Sequence, residues 1–294
     1  MTGRRLAGIL APITTPFDPR TGELALGELR RNLGRYLADG LDGVVVAGST
    51  GEAPLLDPAE VGRLVGAARE AVPDDRWLVA GTGAESTRQA LALSRAAAEA
   101  GADLVLVRPP GYYAAGHSPE SLADYYRAVA DASPVPVLVY NIPKYTHLAL
   151  PAALLERLAG HPRIVGVKDS SGDLDTFTAY RSAVPEWAVL VGSASLLLGA
   201  LERGADGGVV AAACFAARLC AELYAAFRAG ERERAVALQQ RLGPLDREIV
   251  GRLGPAGVKA AMDAVGLHGG PVRPPLAPLD DRDRERIARL VRGD

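Results

Sequence analysis

One stretch of the sequence contains, in order, Gly43-Val44-Val45-Val46-Ala47, Asp57-Pro58-Ala59-Glu60 and Trp77-Leu78-Val79-Ala80-Gly81. The first and third segments are short apolar runs, which is typical of strands that are buried on both faces. The middle segment combines an Asp N-cap, a proline at the first helical position and a glutamate three residues after the cap, the pattern of a capping box. A strand, a helix and a strand in this order predict a βαβ unit with parallel strands.

The same alternation of strand and helix patterns continues to about residue 212. Eight apolar runs bounded by Gly, Pro or Asp are predicted strands, at residues 8–13, 43–47, 77–81, 104–107, 135–140, 164–167, 188–191 and 208–211. Ser118-Pro119-Glu120 repeats the cap-then-proline opening of a helix, and Gly40, Gly101 and Gly204 stand where helices are expected to stop. Eight βα units in about 210 residues predict an α/β protein with a compact (β/α)8 TIM barrel.

Beyond residue 212 the sequence carries helical patterns only, at 214–229, 231–250, 256–264 and 280–291. We therefore predict a barrel over residues 1–212 and a C-terminal helical extension, residues 213–294, packed on it. The proline-rich stretch 271–275 is expected to be a rigid connector. A doubly wound open sheet, the structural alternative, needs a glycine-rich turn after its first strand, where this chain has Pro12-Ile13-Thr14-Thr15-Pro16.

Composition and net charge limit the kinds of molecule that the protein is expected to bind. The 294 residues carry 33 Lys plus Arg against 35 Asp plus Glu, a formal net charge of −2, and 5% of them are aromatic. Such a chain offers neither the basic surface nor the stacking platforms that nucleic acids need. Its apolar runs are shorter than the roughly 18 residues of a membrane helix, and Pro12 interrupts the first one too early for a signal peptide.

The two cysteines, Cys214 and Cys220, lie in an apolar helical pattern. They are too few for a disulfide framework and lack the spacing of a metal or redox motif, so we expect both to be packing residues. Together with the charge balance, this predicts a cytoplasmic protein without nucleic-acid or membrane partners.

Lys168 directly follows the sixth predicted strand, at the point where barrels place reactive groups. Strand alternation puts its side chain on the same face as Gly166, and if that face is the interior, Gly166 leaves room beside the lysine. Burial of an ammonium costs several kcal/mol, so such a lysine either pairs with a carboxylate or becomes a neutral, nucleophilic amine. The alternative is a lysine that extends to water and pairs with Asp169.

Tyr140 ends the fifth predicted strand and is next to Lys168 in barrel order. Beside an iminium or a hydroxyl relay, a phenol can pass a proton back and forth. The alternative is a tyrosine that packs its ring over the end of the barrel.

Gly48-Ser49-Thr50-Gly51-Glu52 follows the second predicted strand. Two glycines that flank two hydroxyls allow a tight turn whose N–H and O–H groups converge on a carboxylate or a phosphate. Otherwise the segment is a polar strand-to-helix turn in which Glu52 begins the next element.

Other chemistries find less support in the sequence. Gly192-Ser193-Ala194-Ser195 and Gly207-Gly208 stand where many barrels bind phosphate, so a phosphate-binding barrel is an alternative, although neither loop contains a basic residue. The four histidines lack the spacing of a metal site, and the sequence has no GxSxG elbow for a serine nucleophile. We therefore expect no metal.

Taken together, the 48–52 motif, Tyr140-Asn141-Ile142-Pro143 and Gly166-Val167-Lys168-Asp169-Ser170 resemble, in sequence and in order, the dihydrodipicolinate synthase/N-acetylneuraminate lyase family of pyruvate-dependent class I aldolases. The likeness spans essentially the whole chain. It implies a (β/α)8 barrel with a C-terminal helical region, assembled as a homotetramer of tight dimers. It also implies a covalent lysine Schiff base with pyruvate or another 2-oxo acid, without a cofactor, and an aldehyde as the second substrate.

The resemblance implies roles for individual residues. Lys168 matches the Schiff-base lysine, and Tyr140 matches the tyrosine that shuttles protons at the new bonds. Ser49 and Thr50 match the hydroxyl pair that binds the pyruvate carboxylate and relays protons.

Two further roles follow from the same resemblance. The family's second relay tyrosine, which in many members crosses from the neighbouring subunit, matches Tyr113, with Tyr112 as the alternative. Val209 matches the position whose backbone carbonyl contacts the pyruvate.

The sequence departs from the family's synthases in one loop. Those enzymes read Tyr-Asn-Val/Ile-Pro-x-Arg-Thr-Gly, and their arginine holds the carboxylate of aspartate semialdehyde. Here Tyr145 replaces the arginine and His147 replaces the glycine. Lys144 supplies a positive charge but not a bidentate fork, and Arg108, at the end of the fourth predicted strand, is the other candidate for binding a substrate carboxylate.

We therefore expect a metal-independent carbon–carbon lyase that reversibly cleaves or forms a 4-hydroxy-2-oxo acid, of the hydroxyoxoglutarate or 2-keto-3-deoxy sugar acid type. Synthesis of 4-hydroxy-tetrahydrodipicolinate is the alternative within the family. A non-catalytic or phosphate-binding barrel is the alternative of another class.

Overall fold

The computed structural model describes residues 5–293 and contains a closed barrel of eight parallel strands in sequence order. The strands are β1 (Gly8–Pro12), β2 (Gly43–Val46), β3 (Trp77–Gly81), β4 (Leu104–Val107), β5 (Val137–Asn141), β6 (Ile164–Asp169), β7 (Ala188–Val191) and β8 (Gly207–Val209). Strand β1 pairs with both β2 and β8, which closes the sheet. The predicted TIM barrel is confirmed. Residues 1–4 and 294, which belong to the two predicted domains and to the segment predicted to lack a signal-peptide core, lie outside the described residues.

Five strands differ at their ends from the prediction; β1 and β2 each end one residue earlier than expected. Strand β5 begins after Pro136, which has no N–H to donate to a neighbouring strand. Strand β8 ends at Val209, because the chain then turns into a 3₁₀ helix at Ala211–Cys214. Strand β6 continues through Lys168 to Asp169, where it stays paired with β5 in the register Tyr140 to Lys168.

Eight helices follow the first seven strands, with two of them after β5. They are α1 (Leu26–Ala38), α2 (Pro58–Arg69), α3 (Thr87–Glu99), α4 (Pro119–Ala132), α5 (Pro143–Thr146), α6 (Ala152–Leu158), α7 (Leu174–Ala183) and α8 (Leu197–Glu202). The capping box predicted at Asp57 is present, and Glu60 accepts the backbone N–H of Asp57 at 2.9 Å. Gly40 and Gly101 have φ angles of 93° and 102° just after α1 and α3, the left-handed conformation that stops a helix.

The C-terminal region consists of α9 (Ala217–Arg228), α10 (Arg232–Leu245), a π-helical segment (Asp246–Gly251), α11 (Arg252–Ala264) and α12 (Asp281–Arg292). The helix predicted at 231–250 is thus interrupted at Asp246, two residues after Pro244. Gly254 and Pro255 kink α11, since Gly254 has φ 57° and ψ −145°. The division of the chain at residue 212 stays a prediction.

The apolar core has two parts. The inside of the barrel is filled by side chains that alternate along the strands, including Leu10, Val45, Val79, Leu138 and Leu190. The opposite faces of the strands pack against the surrounding helices in a larger cluster. Both cysteines are buried and free in that cluster, as predicted, and burial raises the pKa of the Cys214 thiol to about 12. Within residues 5–293, no helix is both long enough and apolar enough to cross a bilayer.

Candidate active site

Lys168 and Tyr140 are direct neighbours across the β5–β6 pair. Only 4% of Lys168 is exposed, and its Nζ lies 4.2 Å from the centroid of the Tyr140 ring. Asp169 follows Lys168 on the strand, but its carboxylate accepts hydrogen bonds from Asn141 Nδ2 and from Ser171 Oγ, each at 2.8 Å. The lysine is therefore buried and not paired with Asp169.

The structure gives Gly166 a different role from the predicted one. A Cβ at this position would lie 2.4 Å from the carbonyl oxygen of Ala188 and 2.9 Å from Cδ1 of Leu138. The space at Gly166 is thus taken by Leu138 and by the backbone of β7, and not left open beside the lysine.

A cavity of about 270 Å³ opens at the carboxyl ends of the strands. It is lined by six of the residues predicted for the site: Ser49, Thr50, Tyr140, Lys144, Lys168 and Val209. The closed barrel brings them together because strands far apart in sequence end on the same rim. An amine, a phenol and two hydroxyls on one small cavity can add to a carbonyl group and move protons at the product.

The loop that carries Ser49 and Thr50 is fixed by its backbone. Ala47 and Glu52, at its two ends, have φ angles of 53° and 58°, a left-handed conformation that is uncommon for residues other than glycine. The carbonyl oxygen of Gly51 accepts the hydroxyl of Thr15 at 2.6 Å. These constraints keep the two hydroxyls on the rim of the cavity.

Glu52 is buried, contrary to the alternative in which it begins a polar segment. Its Oε1 lies 2.6 Å from Nζ of Lys259 on α11, and its Oε2 accepts the backbone N–H of Arg273 at 2.8 Å. Burial lowers the pKa of Lys259, and the charge of Glu52 opposes that effect. Sequence reasoning did not find this ion pair, and the only local signal was a lysine within the apolar pattern of α11.

Asp246, in the π-helical segment, is the second site residue that the sequence did not reveal. It is 5% exposed, it lines the same cavity as Lys168, and its Oδ2 accepts hydrogen bonds from Ser193 Oγ at 2.7 Å and from the Ser195 N–H at 2.8 Å. The serine-rich loop after β7 therefore faces a carboxylate. That carboxylate takes the donors that a phosphate would need at this place.

The loop that follows β5 differs from the loop expected in the family's synthases, both in its charged residues and in its contacts. The ammonium of Lys144 donates to the carbonyl oxygen of Gly251 at 2.8 Å. Tyr145 lines both the Lys168 cavity and its neighbour, and burial raises the pKa of its phenol. His147 has a φ of 54°, a left-handed conformation that favours glycine, the residue expected here in the family's synthases.

Arg108 lies away from Lys168, on a neighbouring cavity of about 570 Å³. Its Nη1 lies 2.8 Å from Oε1 of Glu85, whose other oxygen accepts the N–H groups of Gly111 and Tyr112 at 2.9 Å and 2.8 Å. The guanidinium thus helps to hold the loop that carries Tyr112 and Tyr113.

Tyr112 and Tyr113 are the two most exposed large apolar side chains of residues 5–293, at 78% and 74%. Their rings meet edge to face with centroids 4.8 Å apart. Neither lines the Lys168 cavity of its own chain, and Tyr112 lines the neighbouring one. Within one chain, therefore, neither tyrosine reaches the site predicted for it. Among the described residues, no three His, Cys, Asp or Glu side chains group as metal ligands would.

The chain folds as an α/β barrel with a cavity at the carboxyl ends of its strands. It belongs to the dihydrodipicolinate synthetase family and is therefore an enzyme of the lyase class. The model of that family matches residues 5–293. The resemblance inferred from the three motifs is confirmed. Members of the family are pyruvate-dependent lyases and synthases.

Individual relatives cover nearly the whole chain. A 4-hydroxy-tetrahydrodipicolinate synthase of Methanopyrus kandleri is 35% identical over 292 residues, which are 99% of this chain and 97% of the relative. The chloride-inhibited dihydrodipicolinate synthase of Acinetobacter baumannii, solved with pyruvate, superposes with a TM-score of 0.92 at 30% identity, over 97% of this chain and 98% of the other. YagE, a prophage protein of Escherichia coli K12 also solved with pyruvate, gives a TM-score of 0.92 at 28% identity, over 98% of both chains.

Proposed function

We propose that Lys168 forms a Schiff base with pyruvate or another 2-oxo acid, and that the enzyme reversibly cleaves or forms a 4-hydroxy-2-oxo acid. The hydroxyoxoglutarate and 2-keto-3-deoxy sugar acid types are the proposed substrates, and an aldehyde is the second product or reactant. One observation carries the proposal. The chain contains three lysines, all within the described residues, and only Lys168 lies on the cavity with neither an ion pair nor a hydrogen bond.

The chemistry follows from a free amine in a small cavity. The neutral amine adds to the ketone carbon of pyruvate, the oxygen leaves as water, and the resulting iminium withdraws electrons from the adjacent methyl carbon. Loss of a proton from that carbon gives an enamine, which attacks the aldehyde carbon. Water then hydrolyses the iminium, which releases the 4-hydroxy-2-oxo acid and restores the amine; the reverse sequence is the lyase reaction.

Each neighbour of Lys168 has a proposed part in these steps. Ser49 and Thr50 donate hydrogen bonds to the pyruvate carboxylate, and Thr50 and Tyr140 relay protons to and from the departing oxygen. The backbone carbonyl of Val209 contacts the pyruvate. The two relatives solved with pyruvate, whose barrels superpose on this one, support pyruvate as the first substrate.

Borohydride reduction in the presence of pyruvate tests the proposal. An iminium on Lys168 would be reduced to a stable secondary amine, seen as a pyruvyl mass on the intact protein and on the peptide that contains Lys168. The other two lysines are internal controls, because Lys144 donates to Gly251 and Lys259 is paired with Glu52. Absence of a pyruvyl mass, or its appearance on Lys144 or Lys259 only, would refute the proposal.

Synthesis of 4-hydroxy-tetrahydrodipicolinate is the second candidate function, and the name of the Methanopyrus kandleri relative favours it. Against it stands Tyr145, at the position where such synthases are expected to carry an arginine. Arg108 lines the adjoining cavity, but it is already paired with Glu85. Condensation of pyruvate with aspartate semialdehyde, measured beside pyruvate release from a panel of 4-hydroxy-2-oxo acids, decides between the two activities.

We further propose that the enzyme is a homotetramer of tight dimers in which Tyr113, or Tyr112, enters the site of the neighbouring subunit. The exposed pair of aromatic rings supports this assembly, because a large exposed apolar patch marks an interaction surface. Lys144, on the Lys168 cavity, and Arg108, on the neighbouring cavity, are proposed to contribute positive charge to substrate binding.

A further inference from the structure

One oxygen of the Asp246 carboxylate has no hydrogen-bond donor. Its Oδ2 accepts hydrogen bonds from Ser193 Oγ and from the Ser195 N–H, whereas Oδ1 accepts none from any residue between 5 and 293. The side chain is nevertheless 95% removed from solvent and lines the cavity that contains Lys168. A carboxylate oxygen that lines a cavity and receives no donor from the chain is free to accept a hydrogen bond from a ligand in that cavity.

The position of Asp246 in the cavity indicates that the second substrate, the aldehyde, supplies this hydrogen-bond donor. The proposed site of the pyruvate carboxylate is on the β2 loop, at Ser49 and Thr50, while Asp246 and Ser193 lie by the loop after β7, the strand next to Lys168. A substrate bound covalently to Lys168 therefore has its pyruvate end toward β2 and its remaining atoms near β7 and the C-terminal region. Ser170 also lines that part of the cavity.

The Asp246 carboxylate, which lines the cavity, favours some aldehydes over others. An aldehyde with a second carboxylate would bring a negative charge toward the Asp246 carboxylate, which is unfavourable in a site of low dielectric. An aldehyde with hydroxyl groups brings donors that the free oxygen can accept. A purely apolar aldehyde brings neither the repulsion nor the hydrogen bond.

We infer that Asp246 determines specificity by accepting a hydrogen bond from a hydroxyl of the aldehyde, so that the enzyme acts on polyhydroxylated 4-hydroxy-2-oxo acids rather than on dicarboxylic ones. This inference rests on the proposed function and, of its two substrate types, selects the 2-keto-3-deoxy sugar acid type over the hydroxyoxoglutarate type. It assigns a substrate class to the same site and a role to a residue of the C-terminal region.

Condensation of pyruvate with three aldehydes tests the inference: glyceraldehyde, which has two hydroxyls, propanal, which has none, and glyoxylate, which has a carboxylate. For the unmodified enzyme we expect kcat/KM for glyceraldehyde to exceed those for propanal and glyoxylate by about 10- to 100-fold, the range for a hydrogen bond to a charged group. Equal or greater kcat/KM for propanal or glyoxylate would overturn the inference without any variant.

The variant Asp246→Asn then locates the effect. We expect the ratio of kcat/KM for glyceraldehyde to that for glyoxylate to fall by about 10-fold or more, since both the attraction and the repulsion depend on the charge. Asp124→Asn, which changes an exposed carboxylate on α4, is the matched control and should leave the ratio within about twofold. Circular dichroism confirms that each variant is folded.

Two outcomes separate this inference from the proposed function. If no pyruvyl adduct forms on Lys168 in the unmodified enzyme, the proposed function fails. If the adduct forms but Asp246→Asn leaves the ratio unchanged, only the role of Asp246 fails. Preference of the unmodified enzyme for aspartate semialdehyde over glyceraldehyde, lost in Asp246→Asn, would show that the carboxylate binds an ammonium and would overturn the hydroxyl assignment.

Discussion

Nζ of Lys259 lies 2.6 Å from Oε1 of Glu52, and this buried ion pair joins α11 to the loop that carries Ser49 and Thr50. Lys259 also donates to the carbonyl oxygen of Pro271 at 2.6 Å. The C-terminal region thus fixes the same loop that offers two hydroxyls to the cavity. The pair links a distant helix to the geometry of the site.

Removal of one partner should be costly, because it leaves the other charge buried and unpaired. We expect Lys259→Met to lower the free energy of unfolding by about 3–5 kcal/mol, and the double variant Glu52→Gln with Lys259→Met to recover part of that loss. Urea unfolding followed by circular dichroism measures both. Arg232→Met, which removes a long, exposed ion pair to Glu202, is the control and should change stability by less than about 1 kcal/mol. A loss of the same small size for Lys259→Met would contradict the structural role of the pair.

Most of the fold could be predicted from local patterns. Each strand is buried on both faces and reads as an apolar run, and each of the eight predicted runs contains or overlaps an observed strand. The carboxyl ends of β5 and β6 could not be predicted in the same way, because they depend on pairing across the sheet. That pairing extends β6 to Asp169 and sets Lys168 opposite Tyr140.

The site could be predicted where its residues end strands or stand in the segments that directly follow them. Lys168 and Tyr140 follow from that rule, since parallel strands place such positions on one rim. Asp246 reaches the cavity through a π-helical interruption, and Glu52 finds its partner on a helix near the end of the sequence. Neither contact has a signal in the local pattern, because each depends on how the C-terminal helices pack on the barrel.

The proposed nucleophile can be tested by its removal. Lys168→Ala should abolish the borohydride-trapped pyruvyl adduct and reduce turnover to background, because the variant has no amine in the cavity. Intact-protein mass spectrometry measures the first effect, and pyruvate release measures the second. Lys144→Met should still form the adduct. An adduct in Lys168→Ala would transfer the nucleophilic role to another lysine.

Tyr140 should act on rate rather than on pyruvate binding. In Tyr140→Phe the ring stays beside Lys168 and only the hydroxyl is lost, so we expect trapping of pyruvate to persist. Turnover should fall by a factor on the order of 10² to 10⁴, the usual contribution of a general acid–base group. Steady-state rates beside trapping yields separate the two effects. Unchanged turnover would remove the hydroxyl from the mechanism and leave Tyr140 a packing residue.

The exposed tyrosine pair predicts an assembly. Light scattering in solution should give about four times the mass of one chain, with the rings of Tyr112 and Tyr113 withdrawn from solvent. Of the variants Tyr113→Phe and Tyr112→Phe, the one that removes the relay hydroxyl should reduce turnover by roughly 10- to 100-fold, and the other serves as its matched control. A monomer with full activity in both variants would contradict the prediction.

Glu60 on α2 and Arg273 form a second ion pair between the barrel and the C-terminal region. The stability that this pair contributes should decrease in acid. The guanidinium and the carboxylate meet in a bidentate pair with N–O distances of 2.6 and 2.7 Å. Hydrogen bonding to Arg273 is the main reason why the pKa of Glu60 lies below its ordinary value, although burial opposes it. Because the unfolded chain then binds its proton more readily than the folded one, the pair stabilises the fold at neutral pH.

That contribution is present above the ordinary glutamate pKa of about 4.3 and is lost as the pH falls through the lowered pKa of the folded state. We expect Glu60→Gln to cost on the order of 1 kcal/mol at pH 7 and progressively less toward pH 3, because the unmodified protein loses the same charge there. Urea unfolding at a series of pH values measures the difference between the two proteins. Glu23→Gln, on a largely exposed carboxylate, should show almost no difference at any pH. A cost for Glu60→Gln that stayed constant from pH 7 to pH 3 would mean that shape and packing at this position, and not the charge of Glu60, stabilise the contact with Arg273.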